Sequence, residues 1–202
     1  SVAAAPRVRA LARRLIVAHT PEILLDQDEL SAVVERLGRE LSERHDDGVV
    51  MIAVLRGSVP FLADLVRVMT IRTSVDFVAL SPYTPGTGRV RLVMDVATNI
   101  EGKHVVIVED IVDTGLTSAF LIGELQRRNP ASVSLCTLVD RPARRVVPVP
   151  IDHTGVQIED RFVIGYGLDH EGRYRNLQVL AIADPTVLAE DPDAYVEALY
   201  GA

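Results

Sequence analysis

Val105-Val106-Ile107-Val108-Glu109-Asp110-Ile111-Val112-Asp113-Thr114-Gly115-Leu116-Thr117 sets the architecture of the chain. Four consecutive β-branched residues read as a strand buried on both faces, and Phe120, Leu121 and Leu125 then recur at helical spacing. Between them lies a polar loop that begins at the acids. A strand of a parallel sheet ends in a loop at its carboxyl edge, where open α/β sheets bind ligands. The unpaired N–H groups and positive dipole end of the following helix suit a phosphate; Gly115 permits close approach, and Thr114, Thr117 and Ser118 add hydroxyls. Phosphate oxygens would repel Glu109 and Asp110, so these acids are assigned to sugar hydroxyls or a bound Mg²⁺. A phosphorylated ribose carries both kinds of group. On pattern alone, an acidic loop after a buried strand is also a purely structural solution.

The rest of the chain repeats the theme. Asp26-x-x-Glu29 resembles a capping box, followed by Leu30, Val33, Val34, Leu37 and Leu41 at helical spacing. Val49 to Leu55 reads as a strand that ends at Arg56-Gly57-Ser58, and an apolar helix follows from Val59. Val75 to Leu80 is another strand. The turn formers from Ser81 to Gly88 then predict a mobile flap on a short hairpin that returns through Arg89 to Asp95. The helix after Thr117 is expected to end at Asn129-Pro130, and Ser132 to Val139 to run as a strand into Asp140-Arg141-Pro142. Pro148 to Asp160 reads as irregular cover, Val179 to Ala183 as a last strand, and Asp184 to Glu197 as a solvated acidic helix. Strands alternating with helices indicate an α/β fold with a mostly parallel central sheet.

Composition narrows the class. The chain has 202 residues, 48% of them apolar, enough to bury one substantial core. A net charge of −7 argues against a general nucleic-acid binder, which needs a basic face. Cys136 is the only cysteine, so no disulfide framework can form within the chain; a buried thiol fits a reducing cytoplasm. No apolar run reaches membrane-spanning length. The start, with Arg7, Arg9, Arg13 and Arg14, reads as a mobile leader. His19, His45, His104, His153 and His170 show no metal-ligand spacing, and neither a Walker loop nor Gly-x-Gly-x-x-Gly is present.

Val108-Glu109-Asp110-Ile111-Val112-Asp113-Thr114-Gly115-x-Thr117 resembles the phosphoribosyl pyrophosphate signature of type I phosphoribosyltransferases, and its Glu-Asp opening resembles their hypoxanthine-guanine branch. The resemblance spans roughly Leu25 to Asp184. It implies that family's fold: a mostly parallel central sheet flanked by helices, with a small hood. Residues 1–20 would be the leader, 21–184 the core with a flexible loop at 81–92 and a hood at 142–180, and 185–202 the acidic tail. Leu55-Arg56-Gly57-Ser58 resembles the pyrophosphate loop, with Arg56 at the usual lysine, and implies a cis Leu55–Arg56 peptide. Pro82-Tyr83 stands where the closing loop usually has Ser-Tyr, and Pro82 brings no N–H or hydroxyl.

Arg141 occupies the position of a lysine that donates to the exocyclic oxygen of 6-oxopurines; an arginine keeps the donor and can bridge two acceptors. Arg161-Phe162-Val163-Ile164-Gly165-Tyr166-Gly167-Leu168-Asp169 resembles the purine-binding hood. It implies Phe162 stacked on the base, Val163 offering backbone groups, and Asp169 near the base and a magnesium-bound pyrophosphate. By residue type alone Phe162 would be core, and Arg56 and Arg141 solvated charges. Arg175 matches the family's pyrophosphate arginine.

The implied reaction transfers a phosphoribosyl group from phosphoribosyl pyrophosphate to hypoxanthine or guanine. Glu109, Asp110 and Asp169 would be the Mg²⁺ ligands, with the first two also at the ribose; Thr114, Gly115, Leu116 and Thr117 would grip the 5-phosphate; Leu55, Arg56, Gly57 and Arg175 would bind pyrophosphate. Asp113 would take the purine proton. The partners implied are these small molecules and further copies of the chain, as a homodimer or homotetramer, with no nucleic acid or membrane. Two alternatives stay open: a non-catalytic regulatory protein on the same scaffold that binds the sugar phosphate or RNA, and a pyrimidine or adenine enzyme, which would lack the Phe-Val-Ile-Gly-Tyr segment.

Overall fold

A computed structural model describes residues 20–81 and 91–201. The expected leader lies outside them except for Thr20, as do Pro82 and Tyr83 of the expected flap. Six strands form the central sheet in the order β4 (Leu92–Met94), β3 (Thr73–Leu80), β2 (Val49–Leu55), β5 (His104–Val112), β6 (Ser132–Asp140), β7 (His153–Gln157). Only the β3–β4 pair is antiparallel. The stem of that hairpin closes through the Ser81 N–H, which donates to the Arg91 carbonyl at 2.9 Å.

Side-chain alternation along β5 divides the core. Val106 and Val108 pack with α1 (Gln27–Arg44) and α2 (Val59–Val68), whereas Val105 and Ile107 pack with Leu121 and Leu125 of α3 (Leu116–Gln126) on the opposite face. Helix α1 begins where the sequence predicts, since Asp26 and Glu29 each accept the other's backbone N–H at 2.9 Å. Cys136 is fully buried between strands, and its thiol pKa is pushed up by that burial.

Four expectations change. Glu109 and Asp110 belong to β5, which runs on to Val112, because that strand keeps pairing with β6 as far as Asp140; the loop starts only at Asp113. Helix α3 stops at Gln126, short of Asn129. Within the expected irregular cover, His153–Gln157 is an edge strand. Its Gly155 leaves no room for a Cβ against the Leu138 carbonyl, and Arg36 of α1 donates to the carbonyls of Thr154 at 3.0 Å and Gly155 at 2.6 Å.

The acidic tail, finally, is not a solvated helix. It forms α4 (Pro185–Glu190) and α5 (Val196–Tyr200), with Leu188 and Tyr195 buried against Tyr174 in a third apolar cluster. That cluster backs a separate three-stranded antiparallel sheet, β1 (Glu22–Leu25), β9 (Leu180–Ala183), β8 (Phe162–Ile164), in that order. Its first strand comes from the opposite end of the chain to the other two. No helix among the described residues is long and apolar enough to cross a membrane.

Candidate active site

The carboxyl ends of β2, β5 and β6 lie side by side, so the segments that leave them share one edge of the sheet. Adjacent residues of a strand point to opposite faces, which separates Glu109 from Asp110. Glu109 turns inward: it is 4% exposed and accepts the Ser118 hydroxyl of α3 at 2.7 Å. Burial pushes its pKa up to about 8, reinforced by the Asp110 charge and opposed by Ser118 and Arg145. Ser118 is thereby committed to Glu109 and is not the open phosphate donor that its position suggests. Asp110 is half-buried on the other face, where a Cβ on Gly57 would overlap its carboxylate. Its pKa rises to about 6, mainly through burial, with the Ile111 N–H and the Arg175 charge opposing.

The loop that leaves β2 contains a cis Leu55–Arg56 peptide, as the resemblance implies. Leu55 is half-buried and Arg56 exposed; among the described residues no carboxylate pairs with Arg56. Gly57 meets the hood at Gly167, where a Cβ on Gly167 would collide with the Gly57 carbonyl. From that same turn Arg175 donates to the Gly167 carbonyl at 2.6 Å and pairs with Asp169 at 2.6 Å; Asp169 also accepts the Gly172 N–H at 2.7 Å. Asp110, Gly57, Gly167, Asp169 and Arg175 therefore form one contiguous group.

After β5 the chain turns through Gly115, at φ +80°, a left-handed conformation that favours glycine. A Cβ there would also collide with the Val147 carbonyl. Thr114 and Thr117 are half-buried and Leu116 is exposed, and among the described residues the N–H groups of Thr114, Gly115 and Thr117 have no backbone acceptor. These N–H groups at the start of α3 make a cradle whose chemistry suits an anion.

Asp113 flanks the cradle and is gripped by Arg141, whose Nε and Nη2 donate to its two carboxylate oxygens. The Arg141 side chain is 6% exposed and that of Asp113 34%. Arg141 Nη1 also donates to the carbonyl of Arg161, next to Phe162. Arg141 is thus a buried partner of Asp113, which its sequence context did not reveal. Phe162 is half-buried, edge-on to His170 with ring centroids 6.1 Å apart. Val163, 5% exposed, lies in β8, the outer strand of its sheet, so one row of backbone groups there has no strand partner among the described residues.

The donor set suits a hard cation. Asp110 and Asp169 offer carboxylates on one side of the group, and Mg²⁺ is typically held by one or two carboxylates plus substrate phosphates. Glu109, also expected as a ligand, spends one carboxylate oxygen on Ser118. No cluster of three or more His, Cys, Asp or Glu able to cage a metal exists among the described residues.

The family model for the phosphoribosyl transferase domain matches residues 22–171. A hypoxanthine-guanine-xanthine phosphoribosyltransferase of Tritrichomonas foetus is 42% identical over 169 residues, covering 82% of this chain and 92% of that protein. A hypoxanthine phosphoribosyltransferase of Escherichia coli is 42% identical over 165 residues, covering 79% and 93%. The crystal structure of a hypoxanthine-guanine phosphoribosyltransferase from Bacillus anthracis, with HEPES in its active site, superposes with a TM-score of 0.76 at 39% identity, covering 80% of this chain and 95% of that one. These relatives are enzymes and do not favour the regulatory alternative. The two acids ending β5, the glycine-turned cradle and the hood that meets the Gly57 loop are thus the parts of a family scaffold: the chain belongs to the phosphoribosyltransferases, in their hypoxanthine-guanine branch.

Proposed function

We propose that the protein transfers the 5-phosphoribosyl group of phosphoribosyl pyrophosphate to a ring nitrogen of hypoxanthine or guanine, giving IMP or GMP and pyrophosphate. The observation that carries this reading is the meeting, at the end of β5, of an anion cradle with the group formed by Asp110, Gly57, Gly167, Asp169 and Arg175. One part suits the 5-phosphate, the other the ribose and the leaving pyrophosphate.

The bond from the sugar carbon to pyrophosphate breaks as the bond to the purine nitrogen forms, so positive charge develops on the ribose and negative charge on the leaving group. The N–H groups of residues 114–117 and the hydroxyls of Thr114 and Thr117 hold the 5-phosphate. Asp110 accepts from the ribose hydroxyls. Arg56 and Arg175, with the backbone of Leu55 and Gly57, neutralise the departing pyrophosphate. A magnesium ion bound with the substrate supplies further charge neutralisation, and Asp110 and Asp169 are the residues to hold it.

On the purine side, a guanidinium has five N–H donors, and Arg141 spends three of them on Asp113 and Arg161. The remainder can donate to the exocyclic oxygen of a 6-oxopurine, where adenine offers an amino group instead. Phe162 stacks on the base, and the free edge of β8 at Val163 meets its rim. Asp113 takes the proton released from the ring: a carboxylate has about four lone-pair sites, so Arg141 leaves it capacity to accept.

The test is a product assay with phosphoribosyl pyrophosphate, Mg²⁺ and, in turn, hypoxanthine, guanine, xanthine, adenine and uracil. IMP and GMP are expected, with no product from adenine or uracil. Nucleotide product from none of the five bases would reject the reading.

A further inference from the structure

We infer that Arg145, paired with Asp140, is a positioning residue for the loop that grips the sugar phosphate. By sequence it is one of two adjacent arginines after Pro142, and residue type alone would leave both solvated. Only Arg144 is: it is exposed and pairs with Asp160 at the surface. The Arg145 side chain is 17% exposed and that of its partner Asp140 7%. Its Nε donates to the Asp113 carbonyl at 2.9 Å, and its Nη2 to the Val112 carbonyl at 3.3 Å and to the Asp140 carboxylate. Gln157 of β7 donates to the other Asp140 oxygen at 3.1 Å, which anchors the arrangement in the sheet.

The neighbours of Arg145 continue the pattern. The N–H groups of Val146 and Val147 donate to the Thr114 carbonyl at 2.9 and 3.0 Å, and the Arg141 N–H donates to that of Val112 at 3.0 Å. Three successive carbonyls, those of Val112, Asp113 and Thr114, are therefore drawn toward the segment 141–147. In a planar trans peptide the C=O of one residue and the N–H of the next point in opposite directions. Holding these carbonyls on one side turns the N–H groups of Asp113, Thr114 and Gly115 to the other, where the ligand binds. Arg145 touches neither substrate nor reacting atoms; it acts through the peptide planes. The inference rests on the phosphate reading of that loop, which the experiment tests separately.

Binding of IMP and of inosine, which lacks the phosphate, is measured by calorimetry, alongside melting temperature and the KM values for both substrates. Wild-type protein binds IMP tighter than inosine; equal affinities would overturn the phosphate reading and this inference with it. Arg145→Met raises KM for phosphoribosyl pyrophosphate and Kd for IMP by about 10–100-fold, the range for partners that orient a ligand-bearing group. Inosine affinity and KM for hypoxanthine change little. Arg145→Met combined with Asp140→Asn removes the stranded carboxylate, recovering melting temperature but not IMP affinity. Added methylguanidinium restores part of that affinity in the methionine variant. Should the methionine variants fail to fold, Arg145→Lys keeps the ion pair while losing the donors to both carbonyls, and the same loss of IMP affinity is expected. Wild-type IMP affinity in the folded double variant, or in the lysine variant, would show that Arg145 only stabilises the fold and overturn the inference.

Discussion

Replacing Asp113 by asparagine separates two roles that the structure gives one carboxylate. Arg141 donates to both oxygens of Asp113; a carboxamide offers one oxygen and turns an N–H₂ toward the other donor. One charge-assisted hydrogen bond is lost, worth roughly 1.5–3 kcal/mol. Removing one partner of a fully buried ion pair costs roughly 3–5 kcal/mol, but the Asp113 side chain is 34% exposed, and water screens part of that loss. We therefore expect Asp113→Asn to destabilise by about 2–3 kcal/mol, the upper part of the hydrogen-bond range and below the fully buried figure. For a chain of this size that lowers Tm by roughly 4–12 °C. The kinetic effect is distinct: kcat falls by about 10²–10⁴-fold if the carboxylate accepts the purine proton, while KM for phosphoribosyl pyrophosphate changes little. Thermal unfolding and steady-state kinetics on the same preparation read both. Because a double change that removes both charges abolishes the pair, Asp113→Asn with Arg141→Met should regain stability but not turnover. Unchanged kcat in Asp113→Asn would refute proton transfer to Asp113; unchanged Tm would refute the paired arrangement.

Gly115→Ala meets two obstacles, a φ of +80° and the Val147 carbonyl. The conformation alone costs about 1–2 kcal/mol; IMP binding by calorimetry is expected to weaken at least tenfold, and wild-type affinity would contradict the cradle. Deleting the chain from Pro185 onward exposes the contact surface of Leu188 and Tyr195 and removes the Pro192 carbonyl that accepts from the Tyr174 hydroxyl at 2.7 Å. Burying one large apolar side chain is worth roughly 1.5–3 kcal/mol, so the truncated protein should melt well below wild type; an unchanged Tm would restore the view of a solvated tail. Stability should also fall on acidification through His45. Its pKa lies below the ordinary 6.5, first because it is buried and then because His104, His153 and Arg44 are nearby, with Asp152 opposing. The unfolded chain then takes up the proton first, so the His45 contribution is full above about pH 6.5 and is lost as pH falls below it. His45→Gln should flatten the Tm-against-pH curve between about pH 7 and 5; a parallel curve would assign the acid sensitivity elsewhere.

The sequence by itself determined the local steps. β-Branched runs at Val49 to Leu55 and Val105 to Val108 specify buried strands, the Asp26–Glu29 pair starts α1, and Thr114-Gly115 makes the turn into α3. In each, the signal and its structural cause lie within a few residues of one another. What waited for the tertiary structure depends on residues far apart in the chain. His153–Gln157 has weak strand character and becomes one because β6 pairs with it and Arg36 clamps it from α1. β1 exists because β9, more than 150 residues later, completes its hydrogen bonds. The tail is covered because Tyr174 awaits it. Within the site, which arginines are solvated cannot be read from neighbours in the chain: Arg141, Arg144 and Arg145 look alike there, yet Asp113 and Asp140 recruit the first and third into buried pairs. A charge can leave water only where an opposite charge meets it, and where that happens is a property of packed chains rather than of their order.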